Sequence, residues 1–113
     1  MKTIIAGSRG ITQEAILDIA IANCPFIITS VASGGARGVD KLGETFSKKH
    51  HLPLYLYPAK WDLFGKSAGY IRNKEMAENS EALLAIWDGS SKGTKHMIDL
   101  AKKYKLTIYI HTV

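Results

Sequence analysis

The sequence predicts a Rossmann-like α/β domain, a doubly wound sheet of five parallel strands with four main helices. Short apolar runs alternate along the chain with segments whose apolar residues recur at helical spacing. Strands separated by helices require crossover connections, which favour a parallel sheet. Because 113 residues suffice for one domain with one core, we expect residues 1–113 to form a single domain with a surface cleft.

The first strand and helix are predicted near the start of the chain. The apolar run at residues 2–6 indicates a buried strand. Thr12 is a candidate cap for the first helix. Ile16, Ile19 and Ala20 follow at helical spacing and are expected to form its buried face.

The middle of the chain predicts two further strands around a second helix. Residues 26–32 are β-branched and apolar, as is typical of a strand, and residues 54–57 form a similar shorter run. Between them, Val39, Leu42 and Phe46 mark one face of a helix.

The last part of the chain predicts two helices and two strands. A third helix is expected at residues 68–79 and a fourth strand at residues 82–87, whose unbroken apolar run suits a strand covered on both faces. Residues 106–110 are the predicted fifth strand. The fourth helix is marked by Thr94, Met97, Ile98, Ala101 and Tyr104.

Composition narrows the classes of function. The net charge of +5 favours anionic partners, but the lysines are scattered rather than gathered in a nucleic-acid-binding patch. The single cysteine, Cys24, excludes a disulfide framework and fits a reducing compartment. No leader and no membrane span are visible, so we expect a cytoplasmic protein without a membrane partner. The four histidines show no metal-ligand spacing, and we expect neither metal nor cofactor.

Three glycine-containing loops follow predicted strands. They are Gly7-Ser8-Arg9-Gly10, residues 33–40 and residues 88–94. Each loop alone suits a turn that needs positive φ. Together they lie at the carboxyl edge of a parallel sheet, where ligands bind, and each leads into a helix N-terminus that favours phosphate. The Walker lysine loop and the dinucleotide fingerprint are both absent, which disfavours hydride chemistry on NAD.

Trp61 lies in the long connection after the third strand, where it either stacks on a base or packs as part of a lid. The same two alternatives apply to Tyr70. His96 either contacts the ligand or faces solvent.

The predicted ligand-binding residues are Gly7, Ser8, Arg9, Ser33, Gly34, Gly35, Arg37, Asp40, Trp61, Asn73, Gly89, Ser91, Gly93 and Thr94.

A set of motifs spread over nearly the whole chain resembles the SLOG superfamily, in its branch of small YspA- and YpsA-related domains. The motifs are Ser33-Gly34-Gly35-Ala36-Arg37-Gly38-Val39-Asp40, Pro58-Ala59-Lys60-Trp61, Gly65-Lys66-Ser67-Ala68-Gly69, Arg72-Asn73-xx-Met76 and Gly93-Thr94. The superfamily also includes the LONELY GUY phosphoribohydrolases and the DNA-processing protein A family. The resemblance implies a Rossmann-like fold that binds nucleotides or their derivatives, frequently as a homo-oligomer.

The hydrolase branch of this superfamily implies catalytic roles for some residues. Its catalytic arginine matches Arg72, which alternatively pairs with Glu75 on the helix surface. Its catalytic glutamate would lie at position 97, which is Met97 here. Substitutes for that acid are Asp88, at the binding edge, and Asp40, which alternatively caps its helix or pairs with Arg37. Glu75 is a candidate for orienting Arg72. The candidate catalytic residues are therefore Arg72, Asp88 and Glu75.

Three functions from different classes follow. The first is a sensor or sequestering module for a nucleotide derivative, such as an ADP-ribose-like molecule, a cyclic nucleotide or a nucleoside phosphate. The second is a hydrolase of the N-glycosidic bond in nucleoside phosphates. The third is single-stranded nucleic-acid binding, which lacks the series of aromatic residues that a stacking channel requires.

Overall fold

Five parallel strands form one sheet in the computed structural model, which describes residues 1–113. The strand order is β3-β2-β1-β4-β5, and every neighbouring pair is parallel. The predicted five-stranded parallel sheet is confirmed. The strands are β1 (Lys2–Gly7), β2 (Ser30–Ser33), β3 (Leu54–Leu56), β4 (Ala82–Trp87) and β5 (Thr107–Thr112).

Four main helices cover the two faces of the sheet, as predicted. Alternate strand residues enter two separate cores: Ile5 and Leu84 pack with α1 and α2, whereas Ile4 and Leu83 pack with α4 and α5. The chain is therefore doubly wound. The helices are α1 (Glu14–Asn23), α2 (Val39–Lys49), the short α3 (Trp61–Phe64), α4 (Ala68–Glu78) and α5 (Lys92–Lys103), with a 3₁₀ turn at Gly65–Ser67 between α3 and α4. None of the helices has the length and apolar character needed to cross a membrane.

The second strand is shorter than predicted and lies later in the chain. Its pairing begins where Ser30 faces Lys2 of β1 and Val31 faces Leu54 of β3. Residues 26–29 lie before this register, and Ile27 is 79% exposed. The β-branched composition of this segment therefore does not place it in the sheet, because a strand needs partners for its ladder.

The first helix also differs from its prediction. It begins at Glu14, its N-cap is Gln13, and no side chain caps it, so the expected cap at Thr12 is wrong. Leu17 and Ala20 face the core, whereas Ile19 is 53% exposed. A residue two positions from Leu17 lies about 200° around the helix, which turns Ile19 toward solvent.

The strand order reverses direction at β1. From β1 the chain moves outward to β2 and β3, and then returns to place β4 on the other side of β1. The loops after β1 and β4 are therefore neighbours at the carboxyl edge, the position at which open α/β sheets bind ligands. The loop after β2 packs onto the first loop through Gly38, where a Cβ would lie 2.5 Å from the carbonyl oxygens of Ser8 and Arg9.

Candidate functional site

Three adjoining cavities lie at the carboxyl edge of the sheet. The largest, of about 340 Å³, is called the main cleft here. Two side cavities measure about 330 and 200 Å³. Arg9 and Arg72 border all three cavities. Ten of the predicted site residues line the main cleft: Gly7, Ser8, Arg9, Asp40, Arg72, Asn73, Asp88, Ser91, Gly93 and Thr94.

The other predicted residues divide between the side cavities and positions outside the site. Gly34, Gly35, Arg37 and Trp61 line the larger side cavity. Three predicted residues, Ser33, Gly89 and Glu75, line none of the three cavities.

Each of these three residues has a different environment. Ser33 is fully buried, and its hydroxyl lies 2.9 Å from the carboxylate of Glu44. Gly89 occupies a turn position with φ +83°. Glu75 is exposed on α4 and makes no ion pair, so it does not hold Arg72.

Backbone amides without protein acceptors come from the first and third glycine loops. The amides of Arg9 and Gly10 donate no hydrogen bond within the protein, and neither do those of Lys92 and Gly93 in the first turn of α5. Ser91 is the N-cap of α5, and its hydroxyl accepts a hydrogen bond from the Thr94 amide at 3.3 Å. Free amides at a helix start, opposite a glycine loop, form an electropositive place for an anion.

The loop after β2 differs, because two of its amides are bonded within the loop. The Gly35 amide donates to the Ser33 hydroxyl, and the Ala36 amide donates to Asp40 Oδ2, both at 3.1 Å. The Gly34 carbonyl accepts from Arg72 Nη1. The expectation of a third backbone cradle is therefore wrong for Gly35 and Ala36. This loop contributes by holding Asp40 and Arg72 at the site.

Asp40 is a buried carboxyl beside Arg72. A Cβ at Gly34 would overlap the Arg72 guanidinium and lie 3.0 Å from Asp40 Oδ2, so both groups approach the same backbone position. Burial raises the pKa of Asp40 to about 6, although the Ala36 hydrogen bond and the charge of Arg72 act in the opposite direction. Neither alternative role predicted for Asp40 is observed. It does not cap α2, whose N-cap is Gly38 without a side-chain hydrogen bond, and it makes no ion pair with Arg37.

The burial of Asp40 predicts a pH-dependent stability. Because its pKa is 3.8 in the unfolded chain and about 6 in the fold, the folded state holds the proton more tightly, and stability is lost as pH rises from about 4 to about 6. Asp40→Asn keeps an acceptor for Ala36 and carries no charge. We expect the free energy of unfolding of this variant to exceed that of the parent by about 3 kcal/mol at pH 7, and by little at pH 3.5.

Urea titrations across this pH range measure the difference. Asp62→Asn, at an exposed carboxyl of α3, is the matched control. An Asp40→Asn variant that is no more stable than the parent at pH 7 contradicts the burial argument.

Asp88 differs from Asp40 in both exposure and bonding. Its Oδ1 accepts the amides of Ser90 at 2.8 Å and Ser91 at 2.9 Å, and these bonds lower the pKa of the exposed carboxyl. Its own amide donates to the Ser8 hydroxyl at 3.4 Å, which joins the first and third glycine loops. Asp88 is therefore an ionised carboxylate that organises its loop, and it is poorly suited to carry a proton near neutral pH.

Arg72 is held by two groups. Its Nε donates to Asn73 Oδ1 at 2.9 Å, and its Nη1 donates to the Gly34 carbonyl. Nη2 has no protein acceptor. Burial lowers the pKa of Arg72, an effect that the nearby Asp40 opposes, but a guanidinium stays charged in proteins.

Aromatic residues border the side cavities. Trp61 is 52% exposed and borders both of them, and its ring lies 3.5 Å from the position of a Cβ at Gly69. Tyr70 borders the smaller one and meets the His96 ring edge-on at 4.5 Å between centroids. His96 itself borders none of the three cavities, which disfavours the alternative in which it contacts the ligand.

The sequence predictions missed the floor of the main cleft. Met76 and Met97, from α4 and α5, line it, and both are almost fully buried. Met97 was assigned to one face of the fourth helix and Met76 to a motif that resembles the SLOG superfamily, and neither was predicted to line the site. The position at which the resemblance implies a catalytic glutamate thus carries a thioether in an apolar floor.

The sequence is similar to the Gene 61 protein of Mycobacterium phage D29. The two chains are 34% identical over an alignment of 112 positions, which covers 90% of this chain and 89% of the phage protein. This chain belongs to the family of that phage protein. No model of a known protein family matches it, and neither does any solved structure.

Proposed function

We propose that the protein binds a nucleotide or nucleotide derivative in the main cleft and its side cavities. The observation that carries the proposal is the position of Arg9 and Arg72, which border all three cavities. A ligand anion between these two arginines would have space on more than one side. The proposed ligand therefore has phosphate at its centre and other groups at its ends.

Phosphate is the anion that best fits this position. The free amides of Arg9, Gly10, Lys92 and Gly93 supply donors without charge, and the two guanidinium groups supply charge and paired donors. Together they form the kind of site that binds phosphate oxygens in Rossmann-like folds.

The cleft also contains acceptors, which a simple anion would not need. Asp40 and Asp88 line the main cleft beside the two arginines, so the formal charge of these four groups is zero when both acids are ionised. Carboxylates repel phosphate but accept hydrogen bonds from sugar hydroxyls. A molecule with both phosphate and ribose satisfies this set, and the exposed Trp61 and Tyr70 offer surfaces for a base.

We propose a sensor or sequestering role rather than turnover. Met97 provides no carboxylate at the position where the resemblance to the SLOG superfamily implies one. The same resemblance supports nucleotide derivatives as the ligand class and a homo-oligomer as the assembly. The lone, half-buried Cys24 is compatible with a reducing compartment such as the cytoplasm.

Native mass spectrometry of freshly purified protein tests the proposal, followed by calorimetric titration with ADP-ribose, a cyclic dinucleotide, AMP, inorganic pyrophosphate and a single-stranded oligonucleotide. We expect a bound nucleotide mass, and tighter binding of a nucleotide derivative than of pyrophosphate. The spectrum also gives the oligomeric mass. Absence of binding across the panel contradicts the proposal, and binding of the oligonucleotide alone favours the nucleic-acid alternative.

The aromatic contact has its own test. Trp61→Ala is expected to weaken ADP-ribose binding roughly 3- to 10-fold, because a stacked aromatic contact contributes about 0.5–1.5 kcal/mol. Pyrophosphate, which has no base, should bind both proteins equally. The matched control is Leu63→Ala, since Leu63 is 73% exposed and borders none of the three cavities. Equal affinity for ADP-ribose in the parent and Trp61→Ala would remove Trp61 from the proposed site.

One observation favours hydrolysis of an N-glycosidic bond as a second candidate. Asp40 lies in the main cleft with a pKa near 6, which suits a group that gives and takes a proton near neutral pH. Under this alternative, incubation with nucleoside phosphates releases free base, and Asp40→Asn abolishes the release. No release from any of them leaves the binding role as the better account.

A further inference from the structure

Arg72 is linked to α5 through a short chain of hydrogen bonds. Its Nε donates to Asn73 Oδ1 at 2.9 Å, and Asn73 Nδ2 lies 3.2 Å from His96 Nδ1. Asn73 is only 7% exposed, and both the oxygen and the nitrogen of its side-chain amide have partners inside the protein. Asn73, which was predicted to bind ligand, therefore uses its side-chain amide between two protein groups.

The chemistry of the three groups fixes the direction of every bond. An arginine Nε can only donate, so the amide atom that faces it must be the oxygen of Asn73. The amide nitrogen of Asn73 then faces His96, and it also can only donate. His96 Nδ1 must therefore be an unprotonated acceptor, and the neutral ring carries its proton on Nε2.

We propose that His96 and Asn73 are positioning residues for Arg72, and that the neutral Nε2-protonated form of His96 sets the orientation of the guanidinium. With Nε bound to Asn73 and Nη1 bound to Gly34, the plane of the guanidinium is fixed from two sides. Nη2 remains available to an anion in the cleft.

The surroundings of His96 favour this form. Tyr70 from α4 packs edge-on against the ring, and partial burial lowers the pKa of His96. Asp99, one turn along α5, acts in the opposite direction, but its carboxylate is engaged by Lys95 at 2.9 Å. Tyr70, which packs on the ring, and Asp99, whose charge raises the pKa of His96, both lie outside the main cleft.

The inference rests on the proposed function only where it concerns ligand affinity. Nitrogen-15 NMR of the ligand-free protein tests the rest: we expect unprotonated His96 Nδ1, protonated Nε2, and an Arg72 Nε–H that exchanges slowly with water. His96→Ala should accelerate that exchange. His96→Gln should restore slow exchange, because the glutamine amide oxygen can accept from Asn73 Nδ2. Asn73→Asp keeps the acceptor for Arg72 but reverses the second bond, so His96 should take a proton at Nδ1.

Affinity for ADP-ribose supplies a second readout. We expect His96→Ala to weaken binding roughly 3- to 10-fold, the factor for loss of one ordinary hydrogen bond, and His96→Gln to remain within about 2-fold of the parent. A protonated Nδ1 in the parent, or Arg72 exchange that ignores both His96 variants, overturns the inference. If His96→Ala does not fold, the spectrum of the parent and the exchange rate in His96→Gln still test the positioning role of His96. Failure of ADP-ribose to bind counts against the proposed function and leaves the NMR result to judge the positioning role.

Discussion

Arg72→Ala is expected to weaken binding of ADP-ribose roughly 10- to 100-fold, the factor for losing charge-assisted hydrogen bonds to an anion. Calorimetric titration measures this loss. Arg72 borders all three cavities and is held by Asn73 and Gly34, so its removal affects every proposed part of the ligand. The variant also removes the positive charge that lowers the pKa of the buried Asp40, so the pKa of that carboxyl should rise further.

Two further variants make this result specific. Arg72→Lys keeps the charge but cannot make the paired contacts of a guanidinium, so we expect it to recover only part of the affinity. Lys48→Ala removes one positive charge from the exposed end of α2 and serves as the control for net charge. Affinity reduced equally by Lys48→Ala and Arg72→Ala would mean that overall charge, and not the cleft, attracts the ligand.

Gly38→Ala is expected to lower the free energy of unfolding by more than about 3 kcal/mol. Gly38 has φ +75° and ψ −127°, a conformation that side chains with a Cβ rarely adopt. Its Cβ would also approach the carbonyl oxygens of Ser8 and Arg9, which are backbone atoms and cannot swing aside. Separation of the first two glycine loops should follow.

Denaturant titration measures this loss, and Gly93→Ala is the matched control. Gly93 lies in the first turn of α5 with open space around the position of a Cβ. There, alanine should leave stability unchanged or raise it by up to about 1 kcal/mol, because it favours the helix. If Gly38→Ala unfolds within 1 kcal/mol of the parent, loop packing at Gly38 does not stabilise the domain.

The sheet could be predicted where the pattern was unambiguous. The apolar run at residues 82–87 matches β4, and the buried positions Thr94, Met97, Ile98 and Ala101 match α5. The errors at Thr12, Ile19 and residues 26–29 have a common cause. Composition shows what a segment prefers, whereas ladder partners and the position of the first helical residue decide what it forms.

The site was predictable to the extent that it follows strand ends. Loops after parallel strands meet at one edge, so Ser8, Arg9, Asp88 and Thr94 could be grouped from the order of elements alone. The internal hydrogen bonds could not be predicted in this way. Whether an amide of the loop after β2 is free, and whether Asn73 meets His96, depends on contacts between segments that are distant in sequence.

The loop after β2 already has internal partners for its Gly35 and Ala36 amides, and Arg72 is already bonded to its Gly34 carbonyl. These bonds restrict the backbone of residues 34–36 before any ligand arrives, so ordering this segment should add little to the entropic cost of association. The free and occupied forms should then be nearly superimposable at this loop, as in other pre-organised complexes. A signal carried by this protein would consequently travel through occupancy of the cleft rather than through a large change of shape.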